Sequence, residues 1–478
     1  MRWKTSSKVA CLSCLLLVQL GCRSRPKPKQ DFPAEVVPNT ELAPEELPPE
    51  QAKGGAGAAN AANAKGAPPS LCQLGTGSGF MLGEPGRTSA DADDAVELPF
   101  GVDLGGVMSA YGGFAVGALV PVGKSLEAQV VWVPAAANRG ISVALGSVHG
   151  GGPAPELALN SEVLLVAIPD TDAAGKTLRL ASVSAANLKP VVHFGEELAV
   201  GRDDSDAFSL ASVHNQTLLV WDDFDKKAKP KGHSVIRGIS FSPTTIDKPG
   251  QPFLISPPFL DAQAPRLVAR GDAFWLVWAA SEGIEKAPPR AIPSDENSAT
   301  PEETHLVDAE RRYLQVVLLD GAGKPLGKPL NISEPSGQVL AYDCSVDAAG
   351  ALIVAFRNEA APGVERETIE VARVLPDGSV RRRSLPGAWE PGAPDLLLDS
   401  GRKPALLQLL VGDEAGGARL SEALSEDVNP VFSNEPALAR SRVLGINQGR
   451  VLLAQPRGRA LQLRSATCGA AQKSEMAK

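Results

Sequence analysis

The sequence predicts an all-β fold, a propeller of six or seven blades, on three observations: apolar runs that recur, two apolar faces within each run, and a spacing that fits one small sheet. The phrase SLASVHNQTLLVWDD (Ser209–Asp223) is echoed by RLVARGDAFWLVWAA (Arg266–Ala280). Each gives an apolar run, a polar turn and a second run containing Trp. Similar runs stand at Gln129–Val133, Val163–Ile168, Leu218–Trp221, Phe274–Trp278, Leu352–Phe356, Ala405–Val411 and Val451–Ala454. Trp221 and Trp278 are 57 residues apart, and Trp278 and Phe356 are 78 apart, the longer step holding an insertion. A period of about fifty residues suits one four-stranded blade.

Within a unit the order is regular. DAQAPRLVARGDAFWLVWA reads as a strand, a Gly271-Asp272 turn and a second strand. In Phe274–Trp278 both alternating faces are apolar, so both must be covered. Blades packed face to face around an axis provide that cover. YLQVVLLDGAGKPLGKPLNIS (Tyr313–Ser333) adds a third strand and a Gly-Ala-Gly turn, and Val371–Val380 repeats its cadence. Six or seven such units fit between Cys72 and Cys468, the first and last being the least regular. The alternative is a pair of β-sandwiches, which needs fewer and less regular strands. No long 3.6-residue stripe supports a helical solenoid.

Composition agrees. With 47 Gly and 40 Pro in 478 residues, turns and short strands are favoured over long helices. A net charge of −8 without a domain-scale basic face argues against nucleic acid as a partner. Beyond the N-terminus no apolar run is long enough to cross a bilayer.

The N-terminus reads as an address. Arg2, Lys4 and Lys8 precede an apolar run through Cys11–Val18, a secretory signal over residues 1–21. It closes in Gln19-Leu20-Gly21-Cys22, which resembles a bacterial lipobox, with Gln19 departing from the usual Leu. That resemblance implies a lipidated Cys22, whose thiolate forms the thioether, and a protein held to the membrane by acyl chains. No Asp follows Cys22, so the outer membrane is the expected address. Arg23, Arg25, Lys27 and Lys29 are placed to meet anionic headgroups. Residues 22–70, rich in Pro, Ala, Asn and Gly, cannot bury a core and read as a disordered tether. The propeller is expected over 71–470, with an acidic, Pro-rich insertion at 284–310 and a disordered tail at 471–478. Such an insertion is a candidate partner contact.

Cys11 and Cys14 leave with the signal, and Cys72, Cys344 and Cys468 remain. A Cys72–Cys468 disulfide would staple the two ends of a circular fold, although three pairings are open. Cys344, in AYDCSVD, reads as a buried thiol.

Chemistry-bearing motifs are sparse. His149-Gly150-Gly151-Gly152 matches an oxyanion-loop spelling. The partner G-x-S-x-G is missing, and Gly75-Thr76-Gly77-Ser78-Gly79 has its Ser misplaced, so the stretch reads as a loop. Asp203, Asp204 and Asp206, with Asp222, Asp223 and Asp225, are dense carboxylates and weak calcium candidates; solvated hairpin tips are the plainer reading. The five His (149, 193, 214, 233 and 305) form no zinc spacing. Ser345–Leu352 (SVDAAGAL) resembles the Asp-box turn of sialidase-type propellers with one residue too many. Only three Tyr are present, at 111, 313 and 342, and Phe356-Arg357-Asn358 is poorly placed for that family, so no catalytic residue is carried over. In cadence the chain is similar to secreted and lipid-anchored bacterial propeller proteins. The expectation is a non-catalytic propeller on a membrane anchor, without cofactor, that binds an envelope protein or a glycan. The alternative is a propeller hydrolase or lyase acting on glycans.

Overall fold

The structure, a computed structural model, describes residues 72–74, 80–82 and, with gaps between elements, 101–468. The signal, Cys22, the tether, Gly75–Gly79, Asp203–Asp206, the insertion with His305, and the C-terminal tail lie outside the described residues. No described helix is long and apolar enough to cross a membrane.

Twenty-nine strands form seven antiparallel sheets among the described residues. The first two strands, β1 (Cys72–Leu74) and β2 (Phe80–Leu82), belong to the last sheet, described below. Sheet one is β3 (Asp103–Ala110), β4 (Gly113–Val122), β5 (Ser125–Pro134) and β6 (Ile141–Val148). Sheet two is β7 (Glu156–Asn160), β8 (Val163–Asp172), β9 (Gly175–Ser184) and β10 (Val191–Ala199). Sheet three is β11 (Phe208–Val213), β12 (Gln216–Asp225), β13 (His233–Phe241) and β14 (Phe253–Leu254). Sheet four is β15 (Asp261–Arg270), β16 (Ala273–Ser281), β17 (Tyr313–Leu319) and β18 (Leu330–Asn331). Sheet five is β19 (Val339–Val346), β20 (Leu352–Asn358), β21 (Thr368–Val374) and β22 (Val380–Ser384). Sheet six is β23 (Asp395–Leu397), β24 (Ala405–Val411), β25 (Glu414–Leu420) and β26 (Val431–Phe432). Sheet seven combines β27 (Arg442–Asn447), β28 (Arg450–Arg457) and β29 (Ala460–Cys468) with β1 and β2, both of which pair with β29.

The sheets close into a ring. The first strand of each touches the first strand of the next, from β3 through β7, β11, β15, β19 and β23 to β27, and β27 touches β3. The fold is therefore an all-β propeller, with first strands around the axis and fourth strands outside. Its walls follow the two-residue period of a strand. In β16, Phe274, Leu276 and Trp278 join Leu218, Val220 and Ile236 of sheet three. Trp275 and Val277 turn the other way, into a cluster with Leu352, Val354 and Phe356 of sheet five. Equivalent clusters join sheets one and two, two and three, and seven and one.

Six of the seven apolar runs fall on second strands. Gln129–Val133 is the exception: it lies in β5, a third strand, while the second strand β4 reads GFAVGALVPV. The apolar signal of β4 is diluted because Gly117 lies under sheet two, where an added Cβ would come within 2.0 Å of the Pro155 carbonyl oxygen.

The Asp-box-like fragment forms a real turn between β19 and β20. Asp347 Oδ1 accepts from the backbone N–H of Ala349 and Ala351, both at 2.9 Å, and Gly350 adopts φ +79°. Asp320 makes the same bonds to Ala322 and Lys324, at 2.9 and 2.8 Å, in the turn between β17 and β18.

Candidate functional site at the axis

The ladder registers bring one residue per sheet to a common level of the inner ring. The fifth residue of the second strand is Gly117 in β4, Ala167 in β8, Val220 in β12, Val277 in β16 and Ala454 in β28. Opposite Ala167, Val220, Val277 and Ala454 stand Glu156, Ser209, Arg266 and Arg442. Opposite Gly117 the first strand carries a bulge that holds Gly105 and Gly106. In β20 and β24, which start one residue later, Ala355 and Gln408 face Asp343 and Asp395. Small or apolar residues of the second strands, with Gln408 in β24 the exception, thus back a level that is Gly-Gly, Glu, Ser, Arg, Asp, Asp and Arg in ring order.

Three of these act on one another although Glu156 stands two sheets from Arg266 and three from Asp343 around the ring; Arg266 and Asp343 are on neighbouring sheets. Glu156 and Asp343 are half-buried; Arg266 reaches solvent within the axis while protein surrounds it. Burial, helped by the charge of Asp343 and opposed by the Arg266 guanidinium, pushes the Glu156 carboxyl up to about 7. Burial alone would lower Arg266; Glu156 and Asp343 more than offset it and hold the guanidinium charged. Ser209 is occupied, since its Oγ accepts from Leu267 N at 3.0 Å and ties sheet three to sheet four.

Arg266 owes its place to a bulge. The β15–β16 register slips between Gln263 and Arg266, and Ala264 adopts φ +51°, a left-handed backbone that costs a non-glycine residue about 1 kcal/mol or more. The bulge is held from both sides. Ala264 N donates to Asp222 Oδ2 at 2.8 Å, and Tyr342 Oη donates to the Ala264 carbonyl and to Val277 O at 3.2 Å. Burial raises the Tyr342 phenol well above its ordinary range, so it remains a donor. Beside Glu156 the wall is cut back to glycine. A Cβ on Gly106 would come within 2.8 Å of Glu156 Oε2, and Gly106 N donates to Pro155 O at 3.0 Å.

The second acidic run proves to be structural. Asp222, Asp223 and Asp225 lie within β12 rather than at a hairpin tip, and Lys226 and Lys227 occupy the turn that follows. Asp222 is fully buried beneath the β15 bulge, so solvation does not describe it. Asp223 binds Arg237 Nε, and Asp225 accepts from Lys227 N at 2.8 Å and from Arg237 Nη2 at 3.4 Å. Among the described residues no group of three or more His, Cys, Asp or Glu is arranged to hold a metal ion. His149 follows β6, where its N–H donates to Asp170 Oδ1 at 2.7 Å. His193 meets Asp247 at 3.0 Å, and His233 meets the Pro258 carbonyl at 3.0 Å. Cys344 is buried, and burial pushes its thiol above the ordinary range.

Glu156, Arg266 and Asp343 were not singled out by motif. Glu156 and Asp343 are the lone charges of β7 and β19, Arg266 shares β15 with Asp261 and Arg270, and the usable signal was the distance from the turn before the next apolar run. Aligning units on that turn superimposes Glu156 and Arg266, each four residues before its strand ends, while Asp343 stands three before the end of β19.

No protein-family model matches the chain, and no curated protein does. Solved structures share its outline. The chain is similar to the β-propeller domain of the Trilobed protease from Pyrococcus furiosus, described as having an open velcro topology. That match covers 79% of this chain and 98% of the other at 9% identity and a TM-score of 0.42. It is similar to an α-L-arabinanase of Penicillium chrysogenum complexed with arabinobiose, over 84% and 98% of the two chains, at 11% identity and a TM-score of 0.44. It is also similar to the polysaccharide lyase Uly1, over 84% and 98%, at 8% identity and a TM-score of 0.46. These proteins act on different substrates, and the site at the axis stands on its own residues.

Proposed function

We propose that the chain is a lipid-anchored protein of the bacterial envelope whose propeller binds a glycan at its axis and does not itself transform it. One observation supports the binding site: Glu156, Arg266 and Asp343, from three separate sheets, meet electrostatically at one level of the inner ring. A glycan offers hydroxyls that both donate and accept, and paired carboxylates with a guanidinium fork complement both roles. The bulge fixes the backbone that carries Arg266 before a ligand arrives, which limits the ordering cost of binding. Support for the anchor comes from Gly21 and Cys22 in the sequence, with residues 22–70 as the tether that lifts the ring from an outer membrane.

The binding test is a glycan array probed with the full chain in detergent, followed by titration of any glycan retained. Arg266→Gln and Asp343→Asn are each expected to weaken binding about tenfold or more, the scale of a lost charged hydrogen bond. Binding unchanged in both variants removes the axis as the site. For the anchor, metabolic labelling with a clickable fatty acid should mark the wild type and spare Cys22→Ala; equal labelling of the two ends that assignment.

A second reading, a glycan hydrolase or lyase, is favoured by the Glu156 carboxyl at about 7, which suits proton transfer near neutrality with Asp343 across the axis. Under that reading the wild type cleaves a retained glycan, and Glu156→Gln keeps the affinity while losing turnover. No cleavage by the wild type leaves the binding reading in place.

A further inference from the structure

The two ends of the folded chain meet in sheet seven. β29 is paired along one edge with β28 and along the other with β1 and β2. In the short ladder of β1, Cys72 is the direct partner of Cys468, Gln73 of Thr467 and Leu74 of Ala466. Directly opposed residues of an antiparallel pair have Cα atoms about 4.5–5.5 Å apart. That separation falls inside the window of about 4.4–6.8 Å that a disulfide bridges. The third cysteine is elsewhere: Cys344 stands opposite Val354 in sheet five, buried in the cluster shared with sheet four. Of the three pairings the sequence leaves open, one joins residues that the backbone has already placed side by side.

We propose that Cys72 and Cys468 form a disulfide that locks the seam of the ring. The inference is independent of the glycan reading and rests on the proposed envelope address, which the fatty-acid labelling of Cys22 tests separately. The oxidant is a protein disulfide of a thiol–disulfide oxidoreductase in the envelope. The thiolate of one cysteine attacks that disulfide, and one donor sulfur leaves as a thiolate. The second cysteine thiolate then attacks the mixed disulfide, forming the Cys72–Cys468 bond and releasing the donor as a dithiol. Two electrons pass to the donor, and the two cysteine protons pass to the donor sulfurs or solvent. The lock matters because β1 has three residues, and a ladder that short frays readily on its own. The bond converts the fraying end into a closed loop that spans nearly the whole propeller, the geometry in which a cross-link most restricts the unfolded chain.

The test uses the full chain isolated from membranes without reductant. It is alkylated with iodoacetamide before and after denaturation, digested and mapped by mass. The expected product is a peptide pair joined through Cys72 and Cys468 that separates with dithiothreitol, with Cys344 alkylated only after denaturation. Alkylation of both Cys72 and Cys468 in the unreduced chain, or a link from either to Cys344, overturns the proposal. Thermal melts give a second reading. Cys72→Ser, Cys468→Ser and the double variant should share one drop in Tm, about 5 °C, equal to that of the reduced wild type and unaffected by reductant. Losses that add in the double variant would show the sulfurs acting separately and overturn the proposal.

Discussion

The second strands and the first strands of this propeller obey different rules. The central runs of β8, β12, β16 and β20 are apolar on both faces and nearly fully buried; they set the spacing of the sheets. β7, β15 and β19, one ladder inward, carry Glu156, Arg266 and Asp343 and are interrupted by register slips in β15 and β19. The second strand is constrained by packing, which accepts any residue of suitable size and apolarity. The first strand has a neighbour on each side and the axis in front, so its residues answer to polarity and backbone shape. Substitutions in the two layers should therefore fail in different ways.

The largest effect is expected at the packing layer. Trp278 is fully buried between sheets three and four, and Trp278→Ala should cost about 3–5 kcal/mol in urea unfolding, the usual range for an aromatic emptied from a core. Arg266, across the same ladder and open to the axis, should tolerate Arg266→Gln with far less loss. If the two costs are comparable, the division between a packing layer and a functional layer is broken.

That division also explains what the sequence disclosed. Two-sided runs such as Phe274–Trp278 are legible because burial on both faces leaves little choice of residue, and six of them mark the second strands directly. Gln129–Val133 misleads because the true second strand of sheet one had to admit Gly117 beneath Pro155, weakening its apolar signal relative to β5. The axis is less legible. Glu156, Arg266 and Asp343 lie in separate units, and nothing in their local spelling announces a site. Asp222 reads as one of a solvated run because its burial depends on the β15 bulge, which belongs to the next sheet.

The next effect, by size, concerns that bulge. Asp222→Ala removes the acceptor for Ala264 N and leaves a partly buried donor without its partner, at a cost of about 1–2 kcal/mol. Because the bulge carries Arg266, the same change should weaken ligand binding, although Asp222 lies beneath the backbone rather than at the axial level. A stability loss with full binding would mean that Arg266 is held by something other than the bulge.

Glu156 tests the inner layer through pH. Its folded pKa of about 7 lies above the ordinary value of 4.5, so between those values the folded chain holds a proton that the unfolded chain has released. Stability therefore declines as pH rises from about 4.5 to 7, and the penalty is fully present above that window. Glu156→Gln carries no charge to desolvate. It should match the wild type near pH 4 and exceed it at pH 8 by about 1–3 kcal/mol, as read from unfolding midpoints. Equal stability of the two proteins at pH 8 would place Glu156 in freely solvated surroundings.

The smallest expected change separates strain from function most sharply. Ala264 holds φ +51° in a conformation that glycine adopts freely, so Ala264→Gly relieves strain in the folded chain while adding freedom to the unfolded one. The two partly cancel, leaving a net change of about 1 kcal/mol or less. Binding should respond in the opposite sense from any gain in stability. Alanine at that position narrows the backbone choices of β15, whereas glycine lets the segment from Gln263 to Arg266 sample other registers, so the guanidinium is less firmly fixed before the ligand arrives. A more stable protein with weaker affinity would show the strained residue serving the axis. Gains in both would show the bulge to be a packing accommodation, and would move the site away from Arg266.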